Sequence, residues 1–337
     1  MGPQGNQLVK LFIQVICLVL LSAPAWGQAP AAPIQPADPD PDPITTLKVE
    51  TRVVAISAVV TGKDGRPQGG LTKDDFVLRQ DGREEPIHYF SQGSELPLTI
   101  ALMVDTSGSQ RTFIGDESLA SDIFFETMLG RKEDRAMLVQ FDTSVQQLKG
   151  LTSSADALHL GLLRLSSHAA TVGGTLLNDA VYTVAKSALA NEKGRKAMVI
   201  LTDGGDNGSR HSLPEAIEQA QRADIQIYSI LYSLSGGGGG PTAFGAGLNG
   251  LHPAGPDPGL ANLRQLSETT GGRVFKVSPN LGLRQIYAQI SQDLRLQYEL
   301  GYTPPPDLAP NSYHKLDLKA KDKKLAVQAR RGFFARP

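Results

Sequence analysis

The chain has 337 residues, of which 40% are hydrophobic and 20% are charged. This balance is typical of a soluble globular protein, and the length allows one large domain with a smaller one beside it. The formal net charge of −1, without a polybasic run, excludes the basic faces that bind nucleic acid or membrane surfaces.

The amino terminus has the order of a secretory signal peptide. Lys10 precedes an apolar run from Leu11 to Leu21, and the small-x-small triplet Ala25-Trp26-Gly27 follows. A transmembrane anchor is the alternative, but the run is shorter than the ~20 residues that a spanning helix needs. We therefore predict a signal peptide over 1–27, no membrane span after its cleavage, and a secreted, periplasmic or cell-envelope location.

Composition divides the rest of the chain into a linker, two β-rich flanks and a centre. Residues 28–46 are rich in proline and aspartate and predict a stiff, solvated linker, because closely spaced prolines favour extended geometry. Residues 47–95 alternate hydrophobic and polar side chains, as β-strands do. Residues 297–337 alternate in the same way. They predict either a second β unit or strands that pair with 47–95 in a small β-sandwich.

The centre, residues 96–296, predicts a doubly wound, mostly parallel α/β sheet flanked by helices. Nearly unbroken apolar runs are typical of strands that are buried on both faces of a parallel sheet. Helix-like segments alternate with these runs, which is the pattern of an α/β fold. The predicted strands are 98–104, 136–141, 196–201, 225–232 and 273–277, with an antiparallel edge at 145–148, and the predicted helices are 118–129, 155–165, 176–189, 213–223, 260–267 and 281–294.

Oxygen-bearing side chains follow the predicted strands at one edge of this sheet. Asp105, Ser107 and Ser109 come directly after the first buried strand, Asp203 comes after a neighbouring strand, and Thr175 lies in a loop between them. Ligands of open α/β sheets bind at the carboxyl ends of the strands. Five oxygen donors without His or Cys favour Mg²⁺, or Mn²⁺ as its close mimic, over zinc or copper.

The combination of Asp105-x-Ser107-x-Ser109, Thr175 and Asp203 resembles the metal-ion-dependent adhesion site of von Willebrand factor A and integrin I domains. The resemblance covers 96–296. It implies that the two serines and the threonine reach the metal directly, while the aspartates bind it directly or through water. It also implies that the Asp or Glu carboxylate of a protein partner completes the coordination.

The two flanks resemble those of the bacterial VWFA-related domain family of acidobacterial type. The motifs that carry this resemblance are Gly70-Leu71-Thr72-Lys73-Asp74-Asp75-Phe76, Tyr298-x-Leu300-Gly301-Tyr302 and Arg331-Gly332-Phe333-Phe334. With the flanks included, nearly all of the mature chain is covered.

We expect a non-enzymatic, metal-dependent adhesion or scaffold module that binds an acidic protein partner outside the cytoplasm. A secreted hydrolase that uses the metal to activate water is one alternative. However, the sequence contains no G-x-S-x-G or H-E-x-x-H motif and suggests no convergent His/Asp set. A structural envelope component with a vestigial site is the other alternative, and the intact five-residue set argues against it. Near the site, we expect Asp206 to be a solvated loop residue and Asp179 to anchor the first turn of its helix. Asp142 follows a buried strand, and a place behind the ligands is its less favoured interpretation.

Overall fold

The computed structural model describes five ranges of the chain. The predicted signal peptide and linker lie outside them, as do Ser109 and the glycine-rich loop at 233–257. No helix in the described part of the chain is long and apolar enough to cross a membrane. The described ranges are 53–93, 96–108, 114–165 (without side chains at 114–120), 174–232 and 258–335.

The elements are numbered in chain order. The strands β1 to β14 in the described ranges are Val54–Thr61, Phe76–Gln80, Arg83–Glu85, Tyr89–Gln92, Leu98–Asp105, Arg135–Phe141, Val145–Thr152, Arg195–Thr202, Ile225–Leu231, Val274–Lys276, Tyr298–Tyr302, Tyr313–Ala320, Ala326–Ala329 and Gly332–Phe334. The helices α1 to α6 are Ile114–Met128, Ala155–Leu162, Leu177–Thr183, Leu213–Arg222, Pro258–Thr270 and Leu283–Arg295.

A six-stranded sheet with the order β10-β9-β8-β5-β6-β7 forms the centre of the molecule. All its neighbouring strands are parallel except β7, which pairs antiparallel with β6 at the edge. Helices α1, α2 and α6 cover one face, and α3, α4 and α5 cover the other. Because both faces are covered, all eight residues of β5 are buried, which explains its unbroken apolar sequence. The predicted doubly wound fold is confirmed.

Strands from the two flanks pair with each other in two further sheets, each of four strands. Their orders are β13-β1-β11-β4 and β14-β12-β2-β3. In the first, β1 runs antiparallel to β11, with Ile56 opposite Leu300, and in the second β2 runs antiparallel to β12. The apolar faces of both sheets share one core, in which Tyr298 packs against Phe76 and Phe90 at ring distances of 5.5 and 5.6 Å. Each sheet therefore needs both flanks.

Three local features differ from the sequence-based expectation. The helix predicted at 176–189 is α-helical only to Thr183 and continues as a π-helical turn over Val184–Leu189. The short strands β3 and β14 were not predicted. Each has only three residues, and β3 consists of charged residues, so neither shows a hydrophobic alternation.

Candidate metal site

The candidate site lies where the strand order of the central sheet reverses direction. From β5 the chain moves outward to β6 and β7, and then returns to the other side of β5 to form β8. β5 and β8 are parallel neighbours in which Val104 lies beside Leu201, so their carboxyl ends meet at the same edge. Asp105 ends β5, and Asp203 directly follows β8. A reversal of this kind opens the crevice in which doubly wound proteins bind ligands.

Asp105 is fully buried, and its carboxylate is held in one orientation by hydrogen bonds. Thr202 Oγ1 donates to its Oδ2 at 2.6 Å, and the Ser107 backbone N–H donates to its Oδ1 at 2.9 Å. The backbone N–H of Thr106 donates to the Phe141 carbonyl at 2.9 Å, so the turn that follows β5 is bonded to the end of β6. Three neighbouring strands thus fix the position of this carboxylate.

The electrostatics at Asp105 favour a bound cation. Burial raises the pKa of this carboxyl to about 6, against the lowering effect of hydrogen bonds from Ser107 and Thr202. The negative charge of Asp203 raises the pKa further, which shows that the two carboxylates interact. A divalent cation would offset the free-energy cost of burying the Asp105 carboxylate and would reduce its repulsion by the Asp203 carboxylate. The donor set, two carboxylates with hydroxyls, therefore fits the predicted Mg²⁺ or Mn²⁺.

Thr175 is held at this edge by the loops that follow β6 and β8. Its N–H donates to the Asn207 carbonyl at 3.0 Å, and the Asn207 N–H donates back to the Thr175 carbonyl at 2.9 Å. The Leu176 N–H donates to the Asp142 carbonyl at 2.8 Å. A side chain at Gly174 would place its Cβ 3.3 Å from the Asn207 oxygen, so the approach of the two loops favours glycine. The loop carrying Thr175 is thereby joined to the loop carrying Asp203.

Asp203 begins a turn whose backbone requires glycine. Its Oδ1 accepts a hydrogen bond of 3.0 Å from the Gly205 N–H, and its side chain is only partly buried. Gly204 has a φ of +82°, and a Cβ there would collide with the Gly259 carbonyl at the start of α5. Asn262 of α5 donates to the Gly204 carbonyl at 3.2 Å. This turn leaves Asp203 within reach of solvent.

The structure brings together four of the five predicted site residues at one sheet edge. Ser107 is 6% exposed and its hydroxyl bonds to Asp105, Asp203 acts on Asp105 through its charge, and Thr175 lies in the adjoining loop. Ser109 lies outside the described residues. In the described ranges, no three His, Cys, Asp or Glu side chains are grouped as metal ligands. Any metal here therefore depends on hydroxyl oxygens as well as on the two carboxylates.

Sequence reasoning assigned no role to Thr202 and the wrong one to Asp206. Asp206 is not simply solvated, because its Oδ1 accepts hydrogen bonds from the Asn178 N–H at 2.9 Å and from Ser209 Oγ at 2.6 Å. It therefore caps the first turn of α3 from the loop that follows Asp203. An aspartate three residues before a serine is common in loops, so the sequence offers little sign of this contact.

Asp179 and Asp142 both hold loops around the site. The Asp179 carboxylate accepts hydrogen bonds from the backbone N–H groups of Arg210 (3.1 Å) and His211 (2.9 Å), so it holds the later loop against α3. Asp142 is buried, and its Oδ1 accepts from the Ser144 N–H at 2.9 Å. Since its carbonyl also holds Leu176, Asp142 lies behind the candidate ligands, which is the interpretation that the sequence favoured less.

Comparison with known proteins gives one family and a set of distant structural neighbours. The family model of the von Willebrand factor type A domain matches residues 99–289. No curated protein matches the chain. An aerotolerance-related membrane protein from Bacteroides fragilis aligns with a TM-score of 0.45 at 16% identity, over 58% of this chain and 98% of its own.

Two pilus proteins are similar at comparable levels. The vWF domain of a type V pili tip protein from Porphyromonas gingivalis aligns with a TM-score of 0.44 at 13% identity, over 59% of this chain and 95% of its own. A pilus adhesin from Lactobacillus rhamnosus GG, in its open conformation, aligns with a TM-score of 0.44 at 11% identity. That alignment covers 83% of this chain and 49% of the adhesin.

Proposed function

Because the chain belongs to the von Willebrand factor type A domain family, in which protein-interaction modules are common, we propose that it is a metal-dependent protein-binding module. The metal is Mg²⁺ or Mn²⁺, held by Asp105, Ser107, Ser109, Thr175 and Asp203. The partner is a protein that presents an Asp or Glu carboxylate. The signal peptide predicted over 1–27 directs the module out of the cytoplasm, to the cell envelope or beyond.

The observation that carries this proposal is the buried carboxylate of Asp105 beside the charge of Asp203. A buried carboxylate is costly unless a cation or hydrogen bonds compensate it, and a second carboxylate nearby increases the cost. Burial raises the pKa of Asp105, and the negative charge of Asp203 acts in the same direction. A site of this kind is stabilised by a divalent cation.

Each residue has a distinct part in this arrangement. Asp105 is preoriented by Thr202 and the Ser107 amide, so it loses little freedom when the metal binds. Ser107 and Thr175 supply neutral oxygens, which add no further negative charge to the site. Two carboxylates against a divalent cation make the bound site close to neutral, and a bound metal supplies an open coordination position for one further carboxylate.

Titration calorimetry on the mature chain tests the metal site. We expect about one Mg²⁺ or Mn²⁺ per molecule and a loss of binding in Asp203→Asn. Asp64→Asn, in the exposed turn after β1, is the matched control and should bind as the wild type does. Absence of uptake by the wild type at millimolar metal would contradict the proposal.

Affinity capture from the native cell envelope tests the binding function. The mature chain should retain a protein partner in Mg²⁺ and release it in EDTA, and blocking the partner's carboxylates with a carbodiimide should prevent capture. If the partner is retained equally well in EDTA, the result would support the alternative of a structural envelope component with a vestigial metal site. Turnover of an ester or phosphate panel that requires the metal would support the hydrolase.

Mass spectrometry of the native protein tests export. We expect the mature chain to begin near Gln28 and to be recovered outside the cytoplasm. An intact amino terminus on membrane-embedded material would contradict this part of the proposal.

A further inference from the structure

A serine, a histidine and an aspartate are linked by hydrogen bonds in the sheet β14-β12-β2-β3, outside the metal site. Ser312 Oγ lies 2.7 Å from His314 Nε2, and His314 Nδ1 lies 2.8 Å from Asp81 Oδ2. Ser312 and His314 are two residues apart at the start of β12, so their side chains lie on the same side of the extended chain. Asp81 lies in the turn between β2 and β3, and β2 is the neighbour of β12. The expectation that no His/Asp set converges is therefore wrong.

The turn holds Asp81 so that one of its oxygens faces the histidine. The Asp81 N–H donates to the Lys315 carbonyl at 3.0 Å, and the Lys315 N–H donates to Asp81 Oδ1 at 2.9 Å. Burial acts to raise the pKa of Asp81, but hydrogen bonds from His314 and the Lys315 amide outweigh it and lower this pKa. An ionised Asp81 accepts a hydrogen bond from the Nδ1–H group of His314. In the neutral ring, this leaves Nε2 as an acceptor.

The hydroxyl of Ser312 has two acceptors within reach. Its Oγ also contacts the Ala309 carbonyl, which already accepts the Ser312 N–H at 3.1 Å. When His314 is neutral, the Ser312 hydroxyl can therefore donate to Nε2. The Ala309 carbonyl then still accepts the hydrogen bond from the Ser312 backbone N–H. When His314 is an imidazolium, Nε2–H donates to the hydroxyl and the hydroxyl donates to Ala309. Only the neutral form can accept the serine proton.

We propose that Ser312 is an activated nucleophile, and that Ser312, His314 and Asp81 form an acyl-transfer site for carboxylic esters of small acyl groups. Ser312 Oγ attacks the acyl carbon while its proton passes to His314 Nε2. The ester C–O bond breaks, and the leaving alkoxide takes that proton. His314 then removes a proton from water, which attacks the acyl carbon. As the bond from that carbon to Ser312 Oγ breaks, the proton passes from His314 back to Ser312 Oγ and the carboxylic acid leaves. The sum is ester plus water to acid plus alcohol.

The surroundings of Ser312 suit this chemistry. Ser312 is half-buried and the His314 side chain is 14% exposed, so an ester can reach the pair at the surface edge of the sheet. Asn311, next to Ser312, accepts a 3.1 Å hydrogen bond from Arg222 at its Oδ1. An amide or guanidinium donor that reaches the acyl oxygen would stabilise the oxyanion that forms there. A site at a sheet edge favours small acyl groups over long chains.

Labelling with a fluorophosphonate probe, followed by peptide mass spectrometry on the mature chain, is the first test. We expect the probe on Ser312 of the wild type, equally in Mg²⁺ and in EDTA, because the metal site takes no part. Hydrolysis of 4-nitrophenyl acetate should be lost in Ser312→Ala and should fall by about 10²–10⁴-fold in His314→Gln. Ser91→Ala, which changes an exposed serine of β4, is the matched control and should behave as the wild type.

Asp81 is a positioning residue, and its test needs a separate readout. In Asp81→Asn the kcat of ester hydrolysis should fall while the thermal unfolding temperature is unchanged. Asp81→Glu, which keeps a carboxylate, should recover part of the lost rate. A fall in rate that Asp81→Glu does not recover would assign Asp81 a structural role only.

Either of two labelling results would overturn the proposal. An unmodified Ser312 after prolonged labelling of the folded protein would overturn it. Equal labelling of the wild type and of a His314→Gln variant with unchanged thermal unfolding would also overturn it, because the histidine would then not act as the base.

Discussion

Thr202 donates a 2.6 Å hydrogen bond to Asp105 across the carboxyl ends of β8 and β5, and both side chains are fully buried. Thr202 Oγ1 also accepts the Gly204 N–H at 3.1 Å. The Thr202 hydroxyl thus fixes both the Asp105 carboxylate at the end of β5 and the turn that follows β8. This contact sets the geometry of the candidate metal site before any metal binds.

Thr202→Val tests that contact, because valine keeps the shape of threonine without its hydroxyl. The variant leaves a buried carboxylate oxygen without this donor, so we expect a loss of about 1–3 kcal/mol in the free energy of unfolding. Metal affinity should fall as well, since Asp105 is no longer preoriented. Urea unfolding and calorimetry measure the two effects. Thr183→Val, at an exposed position of α3, is the control; equal losses in both variants would show that the buried contact has no special role.

Metal binding should stabilise the wild type and not the charge variants. At a Mg²⁺ concentration 100 times the Kd, the expected gain is about 2.7 kcal/mol, visible as a rise in Tm. Asp105→Asn and Asp203→Asn should remain folded, because neither adds a charge to the interior, but should show no such rise. A metal-dependent rise that persists in both variants would place the metal elsewhere.

Metal affinity should depend on pH through Asp105. Its pKa is raised to about 6 in the metal-free protein, so below pH 6 a proton must leave before the metal can bind, and above pH 6 the carboxylate is already ionised. We therefore expect affinity to fall about tenfold per pH unit below 6 and to be nearly constant from 7 to 8. Calorimetry in buffers of different ionisation enthalpy measures the released proton. Constant affinity from pH 5 to 8 would contradict this role of Asp105.

Asp206→Ala tests whether the loop after β8 positions Thr175. The variant removes the acceptor for the Asn178 N–H and for Ser209 Oγ, and the loss of such a helix cap costs about 0.5–2 kcal/mol. Hydrogen exchange at 174–178 should rise and metal affinity should fall. Asp156→Ala, in the exposed first turn of α2, is the comparison variant. If exchange at 174–178 is unchanged, Asp206 does not hold this loop.

The central sheet and the order of its elements follow from the pattern of residue types along the chain. Strands that are buried on both faces are apolar over most of their length, and the middle residues of β5 and β8 show this directly. The carboxyl ends of parallel strands share an edge, so the proximity of Asp105 and Asp203 follows from their places after two such strands. For the same reason, the fold class and the edge that carries the candidate site could be predicted without coordinates.

Contacts between side chains that are far apart in the chain depend on the three-dimensional fold and cannot be read from residue types alone. Thr202 and Asp105 are 97 residues apart, and His314 and Asp81 are 233 residues apart. A hydrogen bond depends on distances within a few tenths of an ångström, which are set by strand register and turn geometry. Residue types and spacing do not contain this information. The Ser312–His314–Asp81 set therefore became visible only when β2 and β12 were paired, because no local pattern relates a turn near one end of the chain to a strand near the other.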